Sequence, residues 1–350
     1  MKDNITFGVV GRINEKLFDG QTVKTRTLTN SLRRCYPDCS ILVAESSLSK
    51  RNFPKLLVQL VQCVRKSDVI FVLLSRNGLR ILLPLLFFLN RFYKKPVIHD
   101  CIGGAHDLTL KRYPSLKKYY EKMSVIWVET ESLKKKLEDL GLTNVGILPN
   151  FKNIRAISPD DLERKDAAPF RFCTFSRVNE AKGIGRAAEA VLAINQRLGA
   201  NTVQLDVYGP FEENYDVVLN EYIRRSEGAI SYCGIVDSDA SVDVLKQYYA
   251  MLFPTSYATE GHPGTVIDAF SAGLPVISTA QPGLTEIIKH GNTGYLYSPD
   301  QPEKLREWME YAITHTGEFH EMRIPCLKAT KQFSTESAME TVCNKIEELL

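Results

Sequence analysis

Two carboxylates, Glu260 and Asp268, stand eight positions apart around the small-residue run Gly261-His262-Pro263-Gly264-Thr265. The first lies in the loop after an apolar run that ends at Phe253, and the second lies on the helical stretch that follows. Between them, backbone N–H groups face outward at a helix N-terminus, where anions and sugar hydroxyls are held. A second cluster sits in Phe175-Ser176-Arg177-Val178-Asn179-Glu180-Ala181-Lys182-Gly183. Arg177 and Lys182 leave a strand end just before a helix that begins at a glycine. Two cations in that position suit a diphosphate, whose charge grows as it departs. Two solvated loop cations are the plainer alternative.

Weaker candidates surround these. His99 ends a strand just before Gly103-Gly104, where a histidine binds a hydroxyl, moves a proton or simply packs. Gly20 lies in the loop from Gly11 to Thr22 after the first strand, which is neither a Rossmann fingerprint nor a phosphate-binding P-loop. It permits close approach to a ligand, or it is an ordinary strand–helix connection. Tyr208-Gly209-Pro210 and Tyr232-Cys233-Gly234-Ile235-Val236 both end strands, and either could place backbone donors and acceptors on a nucleobase edge. Asp237-Ser238-Asp239 has the form of a metal triplet but reads as the capping segment of the next helix. No other cluster has metal-ligand spacing, so the expected metal set is empty.

These residues need a scaffold that brings strand ends together. Apolar runs at 5–10, 40–44, 68–74, 96–99, 125–129 and 145–148 alternate with helix-length segments such as 22–36, 55–65 and 76–93. A polar stretch at 158–169 reads as a linker. The alternation then restarts, with strands at 171–175, 203–208, 230–232, 250–253, 275–277 and 294–297. Alternation of this kind builds right-handed βαβ units on parallel sheets. The expected architecture is α/β, with two Rossmann-like doubly wound domains facing across a cleft. The first covers 1–165 and the second 166–334, with a last helix near 335–350 packing back on the first.

Composition excludes several classes. With 44% hydrophobic and 24% charged residues in 350, the chain reads as globular. Its eight cysteines, without metal-type pairs, read as reduced cytosolic thiols. No signal peptide is read at the start, so a cytoplasmic location is expected. The net charge of +3 is unevenly shared. Residues 1–165 carry 29 Lys and Arg against 16 Asp and Glu, while residues 166–350 carry 15 against 25. The basic half is either solvated helix faces or a surface for an anionic partner. Leu79–Leu89 is too short to span a bilayer. It is a core helix, or it docks shallowly on an anionic membrane. No nucleic-acid recognition motif accompanies the charge.

Pro254, Ser256, Glu260, Gly261, Pro263, Asp268, Ala269, Ala272, Gly273, Pro275, Val276 and Ile277 together resemble the Glu-x7-Glu frame of retaining family-four glycosyltransferases, of GT-B fold. The resemblance covers most of the chain and is strongest over 170–300. Asp268 stands where the family usually has glutamate. By that resemblance, Glu260 binds donor-sugar hydroxyls and Asp268 the ribose. Backbone at His262, Pro263, Gly264 and Thr265 holds sugar and phosphate oxygens, and Arg177 and Lys182 hold the diphosphate. Gly20 would close over the phosphates from the first domain, His99 would lie near the sugar, and Ile235 and Val236 would contact the base. The Asp-Gly-Gln-Thr-Val-Lys-Thr-Arg segment is similar to those of bacterial capsule and exopolysaccharide transferases, whose acceptors are often lipid-linked.

The resulting expectation is a retaining, metal-independent hexosyltransferase with no cofactor. It uses a nucleotide sugar, UDP favoured over GDP, as co-substrate and a glycan or polyprenyl-linked glycan as acceptor. It works in the cytoplasm, with docking at the inner face of the plasma membrane as a further expectation. The rivals are a nucleotide-sugar 2-epimerase of the same architecture and a non-catalytic partner subunit.

Overall fold

The computed structural model describes residues 4–14, 20–46, 53–199, 201–212 and 214–350. The chain divides into two compact units. One comprises Met1–Asn153 with Gln332–Leu350, and the other Ile154–Lys331.

The first unit runs β1 (Thr6–Gly11), α1 (Gly20–Cys35), β2 (Ser40–Glu45), α2 (Phe53–Lys66), β3 (Val69–Leu73) and α3 (Arg76–Tyr93). It continues through β4 (Val97–Asp100), α4 (His106–Arg112), α5 (Lys117–Tyr120), β5 (Val125–Val128), α6 (Glu131–Glu138) and β6 (Val145–Ile147). The sheet is parallel, in the order β2-β1-β3-β4-β5-β6. Helices cover both faces, so β3 is buried along its whole length and reads as an unbroken apolar run. Leu60, Leu79, Leu83, Leu86 and Ile126 pack on one face. Phe7, Leu28, Leu32 and Phe71 pack on the other.

The second unit runs β7 (Phe170–Phe175), α7 (Ile184–Leu198), β8 (Val203–Tyr208), α8 (Tyr215–Arg225), β9 (Ile230–Gly234) and α9 (Ser241–Leu245). Then come β10 (Ala250–Phe253), α10 (Gly264–Ser271), β11 (Val276–Thr279), α11 (Pro282–Ile287) and β12 (Gly294–Tyr297). Helices α12 (Lys304–Thr314), α13 (Thr316–Glu321) and α14 (Arg323–Ala329) complete it. Its parallel sheet has the order β12-β11-β10-β7-β8-β9. The last helix, α15 (Thr335–Leu349), belongs to the first unit. Its Met339, Val342 and Ile346 join Leu28, Leu32 and Phe151 in one core, and Ser334 caps it by accepting from the Ser337 amide.

The polar stretch read as a linker is built into the second unit, and the division falls earlier, between Asn153 and Ile154. Ile157 donates its amide to the Ser271 carbonyl. Arg323 donates to the Glu163 carbonyl at 3.2 Å. Composition marks this segment as polar, but those bonds are made by its backbone, which composition does not register.

Candidate functional site

In each sheet the first strand is flanked by its second strand on one side and a later strand on the other. Strand order reverses there, and a crevice opens beyond the carboxyl ends. In the second unit that point lies between β7 and β10, which pair directly. The loops leaving them carry Lys182 and Glu260.

Asn179 organises the first loop by accepting from the Lys182 amide at 2.8 Å. This caps the short 3-10 turn Glu180–Lys182. Gly183 follows at φ +75°, and a Cβ there would sit 2.1 Å from the Pro254 carbonyl oxygen. Only glycine permits that approach. The two loops are then stitched together. The Ser256 amide donates to the Ala181 carbonyl at 2.8 Å, and Arg186 donates to the Pro254 carbonyl at 3.2 Å. Gly283 on α11 presses from the other side, where a Cβ would lie 2.2 Å from the Glu260 carbonyl oxygen.

On this frame the Lys182 ammonium is ion-paired with the Glu260 carboxylate. Both side chains are nearly enclosed, at 10% and 13% exposure. Glu260 Oε1 also accepts from the Thr255 hydroxyl at 3.0 Å. Lys182 Nζ lies 5.1 Å from the Phe253 ring and 5.0 Å from the Tyr257 ring, so aromatic faces share its charge. Arg177 is more open, and its Nη1 donates to Glu212 Oε1 at 2.9 Å. Glu212 also accepts from Asn179 at 2.8 Å. Partial burial works to raise its carboxyl, but the bonds from Asn179 and Arg177 prevail and hold it below the usual range.

Helix α10 begins at Gly264, behind Pro263. Its first turn bond runs from the Val266 amide to the Pro263 carbonyl at 3.0 Å, so the Gly264 and Thr265 amides precede the helical ladder. His262 is buried, with Nε2 3.9 Å from Glu286 Oε2. Asp268 is also buried, one turn into α10. Ile235 is 66% exposed just past β9, with Val236 half-buried beside it. The expected donor residues of the second unit thus stand in the segments that follow β7, β9 and β10, while Gly20 lies in the first unit.

In the first unit, Gly20 opens α1 at the corresponding reversal point, between β1 and β3. It is exposed, and among the described residues nothing beyond its own helix backbone and chain neighbours lies within 4 Å of where its Cβ would be. The part of its loop from Glu15 to Asp19 lies outside the described residues. His99 is fully buried in β4, and its Nδ1 is bonded to the Val72 carbonyl at 2.9 Å. Burial, helped by nearby Lys24, lowers its pKa to about 4, although the Val72 bond works the other way. The ring packs edge-on against His106 and Tyr120. In this conformation His99 is an interior group.

Sequence reasoning passed over a buried triad beside His99. Lys24 Nζ lies 2.7 Å from Asp100 Oδ1 and 3.1 Å from Glu129 Oε1, and it donates to the Cys101 carbonyl at 3.1 Å. Burial alone would lower the lysine pKa, but the two carboxylates hold it well above the usual range. Burial likewise lifts Asp100 to about 6 against the pull of Lys24. Nothing in the spacing of 24, 100 and 129 announces this cluster. Glu212, Thr255, Tyr257 and Gly283 were missed too. Only Asn179, three residues before Lys182, carries a readable capping signal.

Among the described residues, His99, Cys101 and His106 are the one trio whose ligand atoms lie within 4.8 Å of each other. His99 Nδ1 is taken by the Val72 carbonyl, and His106 Nδ1 meets the Tyr120 hydroxyl at 2.9 Å. Burial holds the Cys101 thiol well above its usual pKa. The trio reads as a neutral interior cluster.

Residues 169–315 match the family model described as "Glycosyl transferases group 1". The chain is 27% identical to the amylovoran biosynthesis glycosyltransferase AmsK of Erwinia amylovora, over 45% of this chain and 38% of that one. It is 26% identical to the putative colanic acid biosynthesis glycosyltransferase WcaL of Salmonella typhimurium, over 39% of this chain and 34% of the other. The matches therefore span little more than a third of these relatives. In fold, the chain is similar to Anabaena HepE solved with UDP and glucose, at TM-score 0.76 and 13% identity, covering 98% and 100% of the two chains. It is also similar to the lipopolysaccharide outer core galactosyltransferase WaaB, at TM-score 0.71 and 16% identity, covering 99% and 100%. At such identities the likeness is one of fold, two Rossmann-like domains of GT-B type.

Proposed function

We propose, from the premise that residues 169–315 form a group 1 glycosyl transferase domain, that this chain moves a sugar from a nucleotide sugar to a saccharide or lipid-linked saccharide in cell-surface polysaccharide synthesis. The observation that carries the reading is the Lys182–Glu260 pair, held at the strand-order reversal beside the first amides of α10. Two opposite charges kept nearly enclosed at a crevice suit a ligand that takes both. A diphosphate takes the lysine, and sugar hydroxyls take the glutamate.

In this reading the donor separates the pair. Lys182 turns to the diphosphate together with Arg177, which leaves Glu212. Glu260 accepts hydroxyls of the sugar, and Asp268 serves the ribose. The amides at Gly264 and Thr265 hold sugar and phosphate oxygens, and Ile235 and Val236 meet the base. The bond from the anomeric carbon to the phosphate oxygen breaks, and a bond to the acceptor oxygen forms on the same face. That same-face substitution retains configuration, and the acceptor proton passes to the departing phosphate. Negative charge grows on the diphosphate as the bond breaks, and Lys182 and Arg177 stabilise it where it appears. A metal ion has no assigned part. UDP as the carrier is supported by HepE, whose structures hold UDP or UDP-glucose. The first unit is assigned the acceptor, and the cytoplasm the reaction.

The test is calorimetric binding of UDP- and GDP-sugars in the presence of a chelator, followed by turnover with an acceptor panel read by mass spectrometry. A UDP-sugar should bind, and Glu260→Ala should abolish transfer. If no nucleotide sugar binds and Glu260→Ala leaves every readout unchanged, the proposal is wrong.

A further inference from the structure

We infer that the outward face of α2 and α3 docks on an anionic lipid bilayer, seating Phe88 and Phe92 at the boundary between headgroups and acyl chains. This deepens the reading above for the case in which the acceptor is a lipid-linked saccharide. Helix α3 is two-sided. Leu79, Leu82, Leu83 and Leu86 are buried in the sheet-facing core. The opposite stripe, Ile81, Leu85, Phe88 and Phe92, follows helical spacing. Ile81 is 61%, Phe88 57% and Phe92 68% exposed. Neighbouring α2 adds Val58 at 58% and Val61 at 42%. Two phenylalanines left in water on one face of a helix are unusual in a monomer without a partner for that face.

Charge chooses the partner. From Val69 to His99 the chain has no acidic residue, while Arg76, Arg80, Arg91, Lys94 and Lys95 fall within it. Lys55, Arg65 and Lys66 on α2 are exposed as well. Asp68, just beyond, turns inward and accepts from the Thr6 amide at 2.9 Å. Among the described residues none of these eight cations is ion-paired with a carboxylate. Arg91 instead covers the apolar stripe, with its guanidinium 4.9 Å from the Phe92 ring and 5.9 Å from that of Phe88. Apolar rings under unneutralised cations fit a surface that is oily inside and negative at its rim. No described helix is long and apolar enough to cross a membrane. Shallow seating to about 5–10 Å is therefore the geometry that α3 offers.

The experiment sediments the full chain with vesicles of phosphatidylcholine alone or mixed with phosphatidylglycerol, at low and high salt. Binding should require phosphatidylglycerol and fall steeply with salt. Phe88→Ser with Phe92→Ser, and separately Arg91→Glu with Lys94→Glu, should each weaken it about tenfold or more. Circular dichroism and donor binding should stay unchanged in both. Phe88→Trp keeps the aromatic surface and should be quenched by brominated acyl chains only on anionic vesicles. Equal binding to both vesicle types, full affinity in the double variants or no quenching overturns the inference. So does a Phe88- and Phe92-dependent dimer, or retention by duplex DNA, without vesicle binding. Because donor binding is measured apart from lipid, a chain that docks but binds no nucleotide sugar fails the transferase reading and leaves the surface standing.

Discussion

Each unit pairs a lysine with carboxylate near the carboxyl ends of its strands, two carboxylates in the first unit and one in the second, and the two arrangements differ in what surrounds them. Lys24 on α1, Asp100 at the end of β4 and Glu129 just after β5 are 3%, 0% and 8% exposed. The Lys182–Glu260 pair lies between loops, with a helix N-terminus and two aromatic rings for neighbours. The first is sealed in the interior. The second can be opened by a ligand without exposing a core. Similar charges at strand ends thus separate by their surroundings into interior cluster and candidate site.

That contrast is tested most strongly at Lys24. Lys24→Met leaves two buried carboxylates without their cation, which should cost about 3–5 kcal/mol of stability. Urea unfolding would show it, and an unchanged midpoint would erase the distinction between the two clusters. Lys182→Ala should do the reverse. It should lower transfer by about 10²–10³ while shifting the unfolding midpoint little, since in the proposed reading its charge serves a ligand. Equal stability losses at Lys24 and Lys182 would make both sites scaffold.

Acid offers a third probe. Burial lowers His99 to about 4 and His106 to about 3, with His99 the next contributor to the latter. Both bind protons more readily when unfolded, so their contribution is complete above about pH 6.5 and is lost as pH falls toward 4. Asp100, raised to about 6, has the opposite sign and gains as pH falls through the same window. Two histidines outweigh one aspartate, so stability should decline from pH 6.5 to 4, and His106→Gln should flatten the decline in a denaturation series. The smallest effect belongs to Glu212→Gln. Its pairing with half-exposed Arg177 contributes under about 1 kcal/mol, so stability should barely move. Removing this competitor for Arg177 should strengthen donor binding by about threefold or less in a titration.

Much of the frame was legible in the residues. Helix α3 spans Arg76–Tyr93, the segment expected from its apolar pattern. Strands such as Val203–Tyr208 match their expected bounds. Parallel strands buried on both faces write themselves as apolar runs, and alternation with helices then leaves few topologies. Helices α11, α13 and α14 did not stand out, being short and set by packing more than by period.

The Glu260–Asp268 frame and the Arg177–Lys182 loop were visible because their chemistry is local, with small residues, charges and a helix start within a few positions. What each charge faces was not visible. Lys24 meets Glu129 across 105 positions, and Lys182 meets Glu260 across 78. Sequence determined two strand–helix sheets, their strand ends and the residue types gathered there, since those follow from local pattern. Only the tertiary structure decided that one lysine is sealed and the other available, and that His99 faces inward. It also decided that Phe88 and Phe92 face water on the helix whose leucines build the core. Burial is a property of what the rest of the chain brings alongside, and no short stretch of residues carries it.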